Sequence, residues 1–171
     1  MIESSKKIAI LAADNYQTLE VWYSILRLRE DDHHVDVIGR DNGENICESK
    51  VGYPIRIDYT SNFIEPANYD GVIIPGGFAP DMPRRDKNIL KLVSYQNENK
   101  GLIAAICRGA WVLVSADVVE GREMTSLPSI RVDVENAGAQ WKNKKTVVDE
   151  NLITARLPKD LPVFLSRILF F

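Results

Sequence analysis

The sequence predicts an α/β fold with a mostly parallel central sheet covered by helices on both faces. Three observations predict it. Short apolar runs that read as buried strands alternate with segments of helical period along the chain. Two of those runs end directly in unusual turn chemistry, Pro75-Gly76-Gly77 and Cys107-Arg108-Gly109. The chain has 171 residues, 45% hydrophobic and 26% charged, which suits one domain over residues 1–171 with a sizeable core.

The first strand is expected at Lys6–Ala12, a short apolar run before polar residues. Asp14-Asn15 break it and are expected to cap a helix from about Gln17 to Asp31. In that helix Trp22, Ile25 and Leu26 fall at i, i+3 and i+4, which predicts one apolar stripe. His34–Gly39 alternates like a second strand, and Asp41-Asn42-Gly43 is a turn signal. Residues from Asn45 to Tyr59 read as irregular strands or a hairpin on the sheet's edge. Tyr69–Ile74 is a strand running into the Pro-Gly-Gly turn, and Asp86 is placed to cap a helix from Lys87 to about Asn99. Leu102–Ile106 is a buried strand, followed by Cys107 and a helix over Arg108–Ala116. Thr146–Ala155 reads as two short strands around Asp149-Glu150-Asn151. A last helix sets Leu161, Phe164, Leu165 and Ile168 on one face.

Composition narrows the function. The net charge of −3, with basic residues interleaved among acids, argues against a nucleic-acid surface. No apolar run approaches a membrane span, and the start MIESSKKIAI lacks a signal-peptide layout, so a soluble cytoplasmic setting is expected. The two cysteines, Cys47 and Cys107, form no CxxC pair, and His33 and His34 are the only histidines. No metal and no cofactor is therefore expected. A reducing compartment fits that cysteine usage.

In such a sheet ligands bind beyond the carboxyl ends of the strands, where strand order reverses. The paired glycines of the first turn allow a sharp bend that exposes backbone N–H groups, a geometry suited to an oxyanion. Cys107 at a strand-to-helix junction reads either as a small core residue or as a nucleophile on an elbow. The Pro-Gly-Gly turn at another strand end favours the nucleophile. Cys47, between Ile46 and Glu48, reads as structural.

These residues carry a resemblance. An opening strand followed by a polar loop and Leu19-Glu20, the segment VIIPGGFAPD and the elbow AICRGAWVLVSA are similar to the ThiJ/PfpI family. So are Thr125-Ser126-Leu127-Pro128 and the late segment ITARLPKDL. That superfamily includes PfpI-type intracellular proteases and the parkinsonism-associated deglycase. The resemblance implies a flavodoxin-like three-layer sandwich of the class I glutamine amidotransferase type. It also implies a homodimer or a higher homo-oligomer, commonly a hexamer among PfpI-type members. It implies Cys107 as the nucleophile and backbone N–H groups of Gly76, Gly77 and Arg108 as the oxyanion and substrate-binding site. It further implies an acid at Asp81 that acts across a subunit interface, with pairing to Arg108 there as the other reading. The family's histidine after the cysteine is replaced by Arg108, and the glutamate of the early loop is expected at the position of Gln17.

A guanidinium cannot serve as a base, so a Cys–His–acid relay is not expected. Arg108 beside the sulfur predicts a lowered thiol pKa and a site that also accepts a carboxylate. The catalytic set expected from the sequence is thus Cys107, Arg108, Gln17 and Asp81. The activity is expected to be that of a cysteine-dependent hydrolase acting on peptides or amides, or of a glyoxalase- or deglycase-type enzyme acting on a small reactive carbonyl. The alternatives are a non-catalytic stress-response or redox-sensing protein using an oxidisable Cys107, and a structural oligomer with a vestigial site.

Overall fold

The computed structural model describes residues 5–171. In chain order its elements begin with β1 (Lys7–Leu11), α1 (Thr18–Glu30), β2 (His34–Gly39), β3 (Ile46–Glu48), β4 (Pro54–Arg56) and β5 (Tyr59–Thr60). They continue with β6 (Gly71–Ile74), α2 (Lys87–Glu98), β7 (Leu102–Ile106) and α3 (Ala110–Ser115). The last third holds β8 (Glu123–Met124), α4 (Arg131–Asn136), β9 (Gln140–Trp141), β10 (Thr146–Asp149), β11 (Leu152–Ala155) and α5 (Leu161–Leu169). Short 3₁₀ turns join several of them.

The central sheet has seven strands in the order β10-β11-β7-β6-β1-β2-β5. All pairings are parallel except the β10–β11 hairpin at one edge. The strand order reverses between β1 and β6, as in a flavodoxin-like fold. Side-chain alternation explains why both faces are covered. Ile8, Ile10, Leu102, Ala104 and Ile106 point into one core with α1 and α5. Ala9, Leu11, Val72, Ile74, Ile103 and Ala105 point into the other, with α2, α3 and α4. Strands buried on both faces therefore carry continuous apolar runs, which is what made them readable.

Several local expectations change. Asp14-Asn15 do not cap α1; the cap is Gln17, whose Oε1 accepts from the N–H of Leu19 at 2.7 Å and Glu20 at 3.4 Å. Asp14 instead accepts from the Glu48 N–H at 2.8 Å and anchors β3. The buried face of α1 is Glu20, Val21, Ser24, Ile25 and Leu28, while Leu26 is 60% exposed. The hairpin within Asn45–Tyr59 forms its own two-stranded sheet, β3–β4, and only β5 joins the main sheet edge. Asp86 caps α2, and the inward face of α5 is Leu161, Phe164, Leu165 and Ile168, both as read from the sequence. The elbow after β7 is a 3₁₀ turn over Cys107–Gly109 before α3 begins. Among the described residues, no helix is long and apolar enough to cross a membrane.

The elbow packs tightly onto β6. A Cβ on Gly109 would sit 2.1 Å from the Ile74 carbonyl oxygen, and a backbone atom in the middle of a sheet cannot move aside. Gly109→Ala is thus expected to lower stability by roughly 3 kcal/mol, read from the urea unfolding midpoint. A loss under about 1 kcal/mol would mean that α3 lifts off the sheet more easily than this contact implies.

Candidate active site at the Cys107 elbow

Three segments converge at the carboxyl ends of the central strands: the loop from β1 into α1, the Pro-Gly-Gly turn after β6, and the elbow after β7. Cys107 has φ 61°, a left-handed conformation that side chains with a Cβ seldom adopt. Its surroundings enforce that conformation. A Cβ on Gly76 would lie 2.6 Å from the Cys107 Cβ, so only glycine fits beneath the thiol. The Cys107 carbonyl accepts from the Leu127 N–H at 3.2 Å, which docks the Thr125–Pro128 segment against the elbow. Gly77, at φ 83°, passes so close to the β1–α1 loop that its Cβ would meet the Asn15 carbonyl oxygen at 2.4 Å.

The carboxyl at the sulfur belongs to Glu20. Its side chain is fully buried, and Oε2 accepts from the Gly76 N–H at 2.6 Å. The other oxygen, Oε1, is buried with no hydrogen-bond partner among the described residues, and the Cys107 thiol faces this carboxyl. Gln17 is turned away as the α1 cap, so the sequence expectation at that position is corrected. Helix geometry gives the reason. Glu20 shares the buried face of α1 with Ser24 and Leu28, one and two turns on, whereas Gln17 precedes the first turn. An acid on an apolar helix face was the signal available in the sequence.

The oxyanion expectation changes too. The Gly76 N–H is taken by Glu20, while the N–H groups of Gly77 and Arg108 are directed at the sulfur. The Arg108 guanidinium lies over the Phe78 ring at 4.7 Å from its centre. Asp81 pairs with Arg85, four residues on, and meets neither Cys107 nor Arg108 within the chain. His33 and His34 lie at the amino end of β2, the opposite end of the sheet. There His33 Nδ1 accepts from the Lys6 N–H at 3.1 Å, and His34 Nε2 sits 3.0 Å from Asp36 Oδ1. Cys47 is buried, and its thiol is pushed up to about 11 by burial and then by Asp14 and Glu44.

Electrostatics reverse the sequence expectation of an acidic thiol. Burial first, and then the charge of Glu20, push the Cys107 thiol up to about 11 against the opposing N–H groups and Arg108. Burial likewise raises the Glu20 carboxyl to about 7, with the Gly76 N–H, the thiol, Lys50 and Arg108 pulling the other way. Near neutral pH the site therefore holds a protonated thiol against a carboxyl poised to take or give a proton.

A buried cysteine on a strained elbow, facing a buried glutamate at the strand ends of a doubly wound sheet, defines a class of cysteine-centred α/β proteins. This chain belongs to the DJ-1/PfpI family, whose model matches residues 6–170. It is 36% identical over 155 residues to a protein named Deglycase TK1284 of Thermococcus kodakarensis, covering 91% of this chain and 92% of that one. It is 36% identical over 162 residues to Protein/nucleic acid deglycase 2 of Escherichia coli, covering 94% of each. Among solved structures, a two-domain protein of Anabaena variabilis with DJ-1/ThiJ/PfpI-like and ferritin-like domains superposes with a TM-score of 0.93 at 35% identity. The match covers 97% of this chain and 48% of that one, so this chain spans about half of that protein.

The raised Glu20 carboxyl makes stability depend on pH. Between the unfolded value of 4.5 and about 7, the folded carboxyl holds a proton that the unfolded one has released. The native state binds more protons there, so this contribution to stability falls as pH rises through that window and is flat above it. From about pH 5 to about pH 8 the loss is expected to be roughly 3 kcal/mol, and Glu20→Gln removes it. Urea unfolding of both proteins at the two pH values is the check; parallel pH dependences would show that Glu20 does not titrate in this range.

Proposed function

We propose that this protein is a cysteine-dependent enzyme of small reactive carbonyls, of the glyoxalase or deglycase type, in which Cys107 and Glu20 work as a dyad. The observation that carries the reading is the Glu20 carboxyl, raised to about 7, against a thiol that has no imidazole beside it. A general base is most effective when its pKa lies near the working pH. The names of the two deglycase relatives support the same reaction class. Two features favour a small aldehyde over a peptide: the 7% exposure of Cys107 and the lack of an imidazolium at the elbow.

For an α-oxoaldehyde the steps follow from the two groups. The Cys107 sulfur bonds to the aldehyde carbon as its proton passes to the Glu20 carboxylate. The carbonyl oxygen becomes an oxyanion within reach of the Gly77 and Arg108 N–H groups and then takes the proton from Glu20, giving a hemithioacetal. Glu20 next removes the proton from that carbon and returns it to the neighbouring carbon, through an enediol, so that a thioester of a 2-hydroxy acid results. Water breaks the carbon–sulfur bond, leaving the hydroxy acid and the free thiol. No external oxidant or reductant is required, because one carbon is oxidised as its neighbour is reduced.

The redox-sensing alternative depends on a standing thiolate, and a thiol pushed up to about 11 gives that reading less support. Cytoplasmic residence and assembly into a homodimer or larger oligomer belong to the proposal. An apolar strip formed by Leu19, Tyr23, Pro158 and Pro162 supports the assembly.

Wild-type protein is expected to convert methylglyoxal to lactate, with Cys107→Ala losing all enzyme-dependent turnover. Glu20→Gln is expected to lower kcat by about 100-fold or more. Arg108→His is expected to leave peptide cleavage undetectable, since Glu20 already occupies the proton-transfer position. Equal methylglyoxal consumption by wild type and Cys107→Ala would sink the reading.

A further inference from the structure

Phe78 follows Gly77 directly, and its ring is 55% exposed beside the elbow. Two cations rest on it. The Arg108 guanidinium lies 4.7 Å from the ring centre, and the Lys50 ammonium lies 5.2 Å from it. Lys50 is far away in sequence and is delivered by the β3–β4 hairpin. Its backbone N–H donates to the Tyr16 carbonyl at 3.1 Å, which fixes the hairpin turn against the loop leading into α1. Neither cation makes an ion pair with a described residue, unlike Arg85, Arg122, Arg131 and Arg156, each of which is paired with an acid. The open acidic groove formed by Asp14, Glu44 and Glu48 is lined by neither Lys50 nor Arg108. Arg108 follows Cys107 and the ring that carries both cations follows Gly77, so both charges border the elbow, where each also helps to lower the buried Glu20 carboxyl against its burial. Stacking on one ring holds both in place and leaves their donors unspent.

We propose that Lys50 and Arg108, held against Phe78, form a two-cation receptor for a carboxylate, so that the Cys107 site selects α-oxoaldehydes whose carbon chain ends in a carboxylate. The inference deepens the carbonyl reading and rests on it for the reaction, while the receptor itself is a property of charge beside the sulfur. Two uncompensated charges within several ångströms of a bound anion, in a partly screened surface site, are worth about tenfold in encounter and binding.

The test separates the two claims. In the first arm Cys107 is alkylated with iodoacetate and with iodoacetamide, and mass spectrometry follows the Cys107 peptide. The ratio of the two rates does not depend on the thiolate fraction, which both reagents share. Compared with 2-mercaptoethanol, wild type is expected to favour iodoacetate about tenfold more. Lys50→Gln and Arg108→Gln are each expected to reduce the ratio about threefold, and about 0.5 M NaCl to remove most of the preference. A wild-type ratio equal to that of 2-mercaptoethanol, or one unchanged in the Lys50→Gln, Arg108→Gln double variant, overturns the receptor. Lys50 is exposed, so the single Lys50→Gln variant keeps the test informative should the double variant fail to fold. In the second arm, kcat/KM is measured for 4,5-dioxopentanoate and for 2-oxopentanal, the same chain without the carboxylate. The expected preference is about tenfold for the acid, lost in Lys50→Gln. Turnover of both without preference overturns the substrate assignment and leaves the carbonyl reading standing. A high alkylation ratio with turnover of neither overturns the carbonyl reading and keeps the anion receptor.

Discussion

The hydrogen bond from the Gly76 N–H to the buried Glu20 carboxyl is the contact on which the rest of the site depends. A carboxyl removed from water is costly unless its oxygens find donors, and a buried backbone N–H is costly unless it finds an acceptor. Each settles one of the other's unmet requirements. The pairing also ties the first turn of α1 to the end of β6, across the point where strand order reverses. One carboxyl oxygen remains without a partner among the described residues, and the thiol lies against the same carboxyl.

The elbow supplies the second constraint. A cysteine at φ 61° is strained by about 1 kcal/mol or more, and it persists because its neighbours permit nothing else. Gly76 leaves room only for a hydrogen under the thiol, Gly109 presses the following turn onto Ile74, and Leu127 holds the Cys107 carbonyl. Strand β7, buried on both faces, forms the rigid base of this arrangement. The strain turns the sulfur away from the sheet and toward Glu20 and the N–H groups of Gly77 and Arg108. Sheet rigidity is thereby converted into the aim of one side chain.

Much of this was legible in the residues, for identifiable reasons. Parallel strands buried on both faces must be apolar throughout, so β1, β6 and β7 stood out as runs, and the turns ending β6 and β7 stood out by their chemistry. The α1 region was harder. Of the apolar stripe read there, Ile25 is buried and Trp22 packs on the core but Leu26 faces outward, and looking for the acid in the loop led to Gln17 instead of Glu20. Registering Glu20 with Ser24, Ile25 and Leu28 as one helix face would have excluded Leu26 and found the acid. Lys50 was beyond the reach of any local pattern. It arrives through a hairpin docked onto Asp14, Asn15 and Tyr16 of the β1–α1 loop, and nothing near Lys50 in the chain announces Phe78 or Arg108.

The thiol itself shows how competing effects are decided by magnitude. From the chain alone, a cation next to Cys107 and the start of a helix both argue for thiolate. In the folded protein those influences are real but smaller than desolvation and the nearby Glu20 charge, and the thiol rises instead. A site built this way does not keep a reactive anion standing. In the dyad we propose, one forms only as a proton moves to Glu20, and therefore only when an electrophile is already in place. Under that proposal burial protects the sulfur between encounters, and Glu20, its carboxyl raised to about 7, links attack to the later proton transfers on the substrate. Arg108, where the resemblance led us to expect an imidazole, is no defect in the arrangement we propose. It is released from proton chemistry, and its charge, together with that of Lys50 on the same aromatic ring, is left to act on whatever approaches.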